Sequence, residues 1–190
     1  ATSQAMIVAD MPFMSYQGTV GEALKNAGLL MKKGGAESVK IEGGVEVAEI
    51  TYRMQRIGIP VMGHIGLQPQ SLHKYGGYKI RGRTAEEEKT LLEDSRALEQ
   101  AGCWGIVLEG IPREVAARIT HRLQIPTVGI GSGPDCDGQI LVLYDLLGMN
   151  PDFQPRFLKR YAELFKVVPE ALRRYRQEIQ EGIFPGEEHS

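Results

Sequence analysis

Three acidic side chains and one lysine close short apolar runs in this sequence. Asp10 closes MIVAD, Lys40 and Glu42 close SVKIE, and Glu109 closes GIVLE. Acidic groups gathered in one pocket repel each other unless a cation joins them. Oxygen ligands favour a hard ion, and Mg²⁺ keeps water positions open for the oxygens of a substrate. The sequence therefore predicts a magnesium site, with the lysine supplying positive charge for an anionic substrate.

The spacing of Lys40 and Glu42 places both on one side of an extended strand, while Val39 and Ile41 point to the other side. Unneutralised charges on the inner side of a covered strand are costly without partners, so we expect a metal-bound substrate there. A plain ion pair between Lys40 and Glu42 is the alternative. Any single acid at a strand end could equally cap a helix or pair with an arginine.

Other polar residues at strand ends carry weaker signals. His64 lies in VMGHIG, and a lone histidine is more often a hydrogen-bonded core residue than a ligand. Ser132 and Asp145 follow the same strand-end pattern. The glycine-rich TVGIGSG lacks a lysine and does not match the dinucleotide fingerprint, so its glycines more simply permit close approach of a substrate.

Six apolar runs alternate with helical patterns along the chain. The expected strands are 6–10, 38–44, 61–66, 105–110, 127–133 and 140–145, and two terminal helices are expected at 155–166 and 169–181. Capping boxes at Thr19 and Thr84 mark the starts of two of the helices between the strands. This alternation is typical of a parallel sheet covered by helices. Ligands of barrels and of open α/β sheets bind at the carboxyl ends of the strands.

The composition is that of an ordinary globular chain. With 190 residues and 42% hydrophobic content, we expect one domain over residues 1–190. A net charge of −2 gives no field for nucleic acid or for an anionic membrane. No run long enough for a membrane span and no signal peptide is evident, which predicts a cytoplasmic protein. The two cysteines form no metal or disulfide pattern.

Several long segments resemble the ketopantoate hydroxymethyltransferase family, and the match runs along essentially the whole chain. They are VADMPFMSY, VKIEGG, GHIGLQPQS, GGYKIRGR, IPTVGIGSGPDCDGQILVLYDLLGM and FPGEEHS. The resemblance implies a (β/α)₈ TIM-type barrel and a homo-oligomer, commonly a decamer. It also implies Mg²⁺, with 5,10-methylenetetrahydrofolate as co-substrate, and hydroxymethylation of 3-methyl-2-oxobutanoate to ketopantoate in pantothenate biosynthesis.

The same resemblance implies roles for four residues. Asp10 would bind the metal and contact the oxo acid, and Glu42 would bind the metal directly or through waters. Lys40 would bind the substrate carboxylate. Glu109 would accept the proton at the substrate's C3, giving an enolate stabilised by Mg²⁺.

One departure from the family pattern stands out. In the family, two βα units that include an Asp-Ser pair precede the strand that starts here, so this chain would hold only barrel strands three to eight and the C-terminal helices. Six strands do not close an eight-stranded barrel. A non-catalytic truncated subunit is therefore one alternative. The other is a Mg²⁺-dependent oxo-acid lyase or mutase of the phosphoenolpyruvate mutase type, which uses the same enolate chemistry.

Overall fold

The computed structural model describes residues 4–77 and 80–190, so Tyr78 and Lys79 of the GGYKIRGR motif lie outside the described residues. The chain divides into two compact units, residues 1–140 and residues 141–190. A single domain over the whole chain stays a prediction. Within the described ranges, none of the helices combines the length and the apolar composition that crossing a bilayer requires.

The first unit is built on a six-stranded parallel sheet whose spatial order follows the chain. Its strands are β1 (Val8–Asp10), β2 (Ser38–Glu42), β3 (Val61–Gly66), β4 (Gly105–Glu109), β5 (Thr127–Ile130) and β6 (Gly138–Gln139). Each strand pairs in parallel with the next. No pairing joins β1 to β6 in the described parts of the chain, so the sheet is an open half-barrel.

Helices fill the first four connections between the strands, as the alternating pattern predicts, whereas residues 131–137 join β5 to β6 without a helix. The helices are α1 (Val20–Lys32), α2 (Ala48–Arg56), α3 (Leu72–Tyr75), α4 (Ala85–Gln100) and α5 (Arg113–Arg122), followed in the second unit by α6 (Leu143–Leu146) and α7 (Leu164–Gln180). Short 3₁₀ turns precede α2 and α3 and close the chain.

Side-chain caps start α1 and α4 where the sequence predicts them. Thr19 and Glu22 form a reciprocal capping box, which satisfies two free amides of the first turn. Thr84 accepts a hydrogen bond from the Glu87 amide. The Glu87 carboxylate instead accepts from the amides of Gly82 and Arg83, so it fixes the chain entering α4.

The core lies between the sheet and these helices. Alternate strand residues point into it, and they are fully buried: Val39, Ile41, Val61, Ile65, Ile106 and Leu108. The helices contribute Ala23, Met54, Leu98 and Ile119, each also fully buried. Because side chains alternate along a strand, this core leaves the intervening residues of β2, β3 and β4 on the inner face of the half-barrel.

The expected strand at 140–145 is wrong. The sixth strand is the short β6 just before it, and the Ile140 amide makes the last hydrogen bond toward β5, to the Gly129 carbonyl at 3.0 Å. Val142 then occupies the N-cap position of α6. Ile140 and Val142 are each 51% exposed, so the apolar run has no sheet surface on which to pack.

The two expected terminal helices are also wrong in number. One helix, α7, runs through Pro169, and residues 155–163 are not helical. Pro169 lies near the start of α7 and removes only one intrahelical bond, so the helix continues past it. The Arg160 guanidinium organises the preceding segment by donating to the carbonyls of Asn150, Pro151 and Phe153.

Candidate active site

The carboxyl end of β2 presents charge on one face only, as the spacing predicts. Lys40 and Glu42 face the inside of the half-barrel, and their side chains are 18% and 7% exposed. Val39 and Ile41 are buried in the core on the opposite face. The strand therefore holds two charged groups in a largely dehydrated place, where each needs a partner.

Asp10 is the partner of Lys40. The two residues are opposite each other in the register of β1 and β2, and Lys40 Nζ lies 2.7 Å from Asp10 Oδ1. The Asp10 side chain remains 64% exposed, so solvent screens this pair and its net contribution to stability is small. The alternative, an ion pair of Lys40 with Glu42, does not form; Lys40 contacts Asp10 and His64 instead.

His64 occupies the middle of the site. It is opposite Glu42 in the register of β2 and β3, and it is 2% exposed. Its Nδ1 lies 3.1 Å from Lys40 Nζ and 3.9 Å from Glu42 Oε1. On the other side of the ring, Nε2 lies 3.1 Å from Glu109 Oε2. This imidazole touches three of the charged residues, a position that a histidine confined to the apolar core would not have.

Glu109 is the last residue of β4, and the neighbouring Gly66 leaves no room for a side chain. Gly66 has φ of +97°, and a Cβ at this position would meet the Glu109 carbonyl at 2.2 Å. The Leu67 amide donates to the same carbonyl at 2.7 Å. This close approach fixes the backbone of Glu109, whose side chain is 16% exposed at the inner face.

A tyrosine and a glutamine hold Glu42 in place through hydrogen bonds, and the sequence analysis identified neither of them as a site residue. Gln70 N donates to Glu42 Oε2 at 3.0 Å, and the Glu42 amide donates to Tyr16 Oη at 3.0 Å. Tyr16 Oη in turn lies 3.1 Å from Gln70 Oε1. Both residues belong to loops that follow strands, and the unusual length of the second loop is the only signal the sequence offers.

Burial shapes the protonation of this cluster. It raises the pKa of Glu42 above its usual range, although His64 and the Gln70 amide act against it. Burial likewise raises the pKa of Tyr16 to about 12, so its hydroxyl stays protonated at neutral pH. Tyr16 therefore serves the site as a neutral hydrogen-bonding group that holds the Glu42 backbone.

Ser132 does not join the site, and Asp145 does not lie at a strand end. Ser132 is fully buried and donates to the Leu108 carbonyl at 2.7 Å while accepting from the Ile111 amide at 3.2 Å. It links β4 to the segment after β5. Asp145 lies in α6, within the second unit, because the strand expected there is absent.

The carboxylates present suit a water-rich magnesium site. Among the described residues, no group of three or more histidine, cysteine, aspartate or glutamate side chains could bind a metal. Asp10 and Glu42 nevertheless lie on neighbouring strands and offer oxygen ligands, and Mg²⁺ commonly binds through one or two carboxylates with several waters. The donor set therefore fits this ion.

The fold and the site define an α/β protein with a parallel half-barrel sheet and ionisable side chains at the carboxyl ends of its strands. A putative phosphonomutase from Burkholderia cenocepacia has a similar fold, with a TM-score of 0.51 and 11% identity over 72% of this chain and 63% of that one. At this identity the likeness concerns the fold alone.

Sequence comparison gives the family. The ketopantoate hydroxymethyltransferase family matches residues 1–187, and the chain belongs to it. Proteins named 3-methyl-2-oxobutanoate hydroxymethyltransferase are 54% identical over 98% of the chain in Syntrophobacter fumaroxidans and 53% identical over all of it in Pelobacter propionicus. The chain spans 66% and 70% of the length of these two relatives.

Proposed function

We propose that this protein acts as a 3-methyl-2-oxobutanoate hydroxymethyltransferase, which forms ketopantoate with 5,10-methylenetetrahydrofolate as the one-carbon donor. The observation that carries the proposal is the arrangement of Lys40 and Glu109 on the two sides of His64, on one inner face. A cation and a carboxylate so placed can bind an oxo acid and remove a proton from it. The shared name of the relatives supports the same reaction.

The fold proposal follows from the same comparison. The six strands would be the third to eighth strands of a (β/α)₈ barrel, whose active sites lie at the carboxyl ends of the strands. The aligned region leaves about a third of each relative's length uncovered, which is room for further βα units. A homo-oligomer and a cytoplasmic location remain predictions.

Lys40 would bind the carboxylate of the oxo acid. Its ammonium group lies at the inner face beside Asp10, and an ammonium-to-carboxylate hydrogen bond is stronger than a neutral one. Low exposure of the lysine excludes most competing water, which strengthens the attraction further. Binding at this end would orient the rest of the substrate across the sheet toward β4.

Glu109 would accept the proton from C3 of the oxo acid. Its carboxylate has acceptor capacity in addition to its contact with His64, and it stands two strands away from Lys40. The electron pair of the C3–H bond then makes C3 a nucleophile, which bonds to the one-carbon unit of the folate. The two carbon–nitrogen bonds of that unit break, water supplies the oxygen of the new hydroxymethyl group, and tetrahydrofolate leaves with the C3 proton and the second proton of the water on its nitrogens. A positioned base of this kind typically contributes about 10²- to 10⁴-fold to the rate.

Asp10 and Glu42 would hold Mg²⁺. When bound, the ion would act as a Lewis acid that withdraws electrons from the keto carbonyl and lowers the pKa of the neighbouring C3–H. Tyr16 and Gln70 would keep Glu42 in place for this role, because they fix both its backbone amide and one of its carboxylate oxygens.

The lyase or mutase alternative receives less support from the cysteines. A lyase of that type needs a reactive thiol, and burial raises the pKa of Cys103 to about 12. Burial also raises the pKa of Cys136. Neither thiol becomes a thiolate readily at neutral pH. The phosphonomutase likeness does not offset this, because it reports the fold alone.

The test is formation of ketopantoate by the natural protein from the oxo acid and methylenetetrahydrofolate, with Mg²⁺ or with a chelator. We expect turnover only with the metal. Glu109→Gln should lower turnover by about 10²- to 10⁴-fold and slow exchange of the C3 hydrogen with deuterated water equally. Glu114→Gln, an exposed acid on α5, is the matched control. Unchanged turnover in Glu109→Gln would exclude the proposed base.

A further inference from the structure

His64 stands between the proposed substrate-binding lysine and the proposed base. The distances from its two nitrogens to Lys40 Nζ and to Glu109 Oε2 are both 3.1 Å. Its ring is almost fully buried. A buried imidazole with charged neighbours on both sides has few acceptable protonation states, and the identity of those neighbours decides among them.

Lys40 selects the tautomer of the imidazole. An ammonium group carries only donors, so His64 Nδ1 has to accept the hydrogen bond from Lys40. The ring proton then lies on Nε2, on the side of Glu109. A doubly protonated ring would set an N–H of Nδ1 against the ammonium group, which places two donors and two positive charges together.

Nε2 has one hydrogen bond left to make. Within the described part of the chain it has no partner in hydrogen-bonding alignment, although Glu109 Oε2 is near. A buried N–H without an acceptor is costly, and a small rotation of the Glu109 carboxylate removes that cost. Hydrogen bonds between catalytic groups are often poorly aligned before the substrate binds.

We propose that His64 is a positioning residue that connects Lys40 to Glu109, donating Nε2–H to one oxygen of the Glu109 carboxylate and leaving the other oxygen for the C3 proton. The role in catalysis rests on the proposed function; the hydrogen-bond arrangement does not. The lysine that binds the substrate thereby also fixes the orientation of the base, through a single imidazole.

The arrangement is tested by ¹⁵N nuclear magnetic resonance of the natural protein labelled at histidine. The chain has four histidines, and the His64→Gln spectrum identifies the His64 signals. We expect a protonated, pyrrole-type Nε2 and an unprotonated, pyridine-type Nδ1. In Lys40→Met we expect the Nδ1 signal to shift, because this nitrogen loses the donor that Lys40 supplies. A proton on Nδ1 in the wild type, or an unchanged spectrum in Lys40→Met, would overturn the proposal.

The catalytic role is tested by two substitutions at the same position. The amide nitrogen of glutamine reaches the place of Nε2, so His64→Gln keeps a donor for Glu109, whereas His64→Leu keeps none. We expect kcat to be about 10- to 100-fold higher in His64→Gln than in His64→Leu, with KM for the oxo acid changing much less. Equal kcat values in the two variants, or a change in KM alone, would contradict the role.

The two measurements separate the failure of this proposal from failure of the proposed function. The tautomer needs no turnover to be observed, so its result stands even if the protein forms no ketopantoate. If urea unfolding shows that His64→Leu is not folded, the spectra of the wild type and of Lys40→Met still test the hydrogen-bond arrangement. If the protein forms ketopantoate but His64 carries its proton on Nδ1, the proposed function stands and the proposed link from Lys40 through His64 to Glu109 is rejected.

Discussion

The carboxyl ends of β2, β3 and β4 differ from that of β5, although all four carry polar residues. His64 is buried, Glu42 and Glu109 are half-buried, and all three are ionisable groups with hydrogen-bonding capacity left over. Ser132, after β5, has used its hydroxyl as both donor and acceptor within the protein. A polar residue at a strand end therefore marks a site only when its hydrogen bonds are not already complete.

Lys40 contacts the first group through His64, and its replacement by methionine should strongly impair catalysis. The substrate carboxylate would lose its charged partner, which for a largely buried pair lowers kcat/KM by about 10²- to 10³-fold. Steady-state kinetics with varied oxo acid measures this. Lys33→Met, at an exposed lysine just after α1, is the control and should leave kcat/KM unchanged. An unaltered kcat/KM in Lys40→Met would remove this lysine from the site.

Replacing Ser132 by alanine should act on stability instead of catalysis. The Ile111 amide would lose its acceptor and the Leu108 carbonyl a donor, so the free energy of unfolding should fall by about 1–3 kcal/mol. Urea unfolding measures the loss, with Ser15→Ala as control, because that hydroxyl bonds a carbonyl near the surface. A fall in kcat/KM without loss of stability would place Ser132 among the site residues and break the contrast.

The parts of the fold that sequence predicts are those encoded locally. The first five strands appear where apolar runs of β-branched residues predict them, and the capping box of Thr19 and Glu22 starts α1. The side of β2 on which Lys40 and Glu42 lie follows from a spacing of two residues. Each of these features depends on a few neighbouring residues, so one sequence is enough to predict it.

The features that sequence does not predict depend on distant partners. The run at 140–145 has the composition of a strand, but burial depends on a neighbouring surface that composition does not encode. Tyr16 and Gln70 meet Glu42 from two separate loops. His64 is one polar residue in an apolar strand. Its contacts with Lys40 and Glu109 are visible only in the folded sheet, where β2 and β4 lie on either side of β3.

The smallest expected effect concerns Asp94, an acid of α4 that contacts the chain just after β2 on the outer side of the sheet. Asp94 of α4 accepts a hydrogen bond from the Val45 amide at 3.0 Å, and burial raises its pKa above the ordinary 3.8. The folded state therefore retains this proton at pH values where the unfolded chain has lost it. The contribution of Asp94 to stability is complete below pH 3.8 and declines as pH rises through the raised pKa.

Asp94→Asn should remove this decline, so the free energy of unfolding should depend less on pH in the variant than in the wild type. Urea unfolding at a series of pH values from about 3 to 7 measures the difference. Glu86→Gln, at an exposed acid of the same helix, is the control. Parallel curves for Asp94→Asn and the wild type would show that the Val45 hydrogen bond offsets burial completely. Of the two carboxylates Glu42 and Asp94, only Glu42 on the inner face would then have a raised pKa.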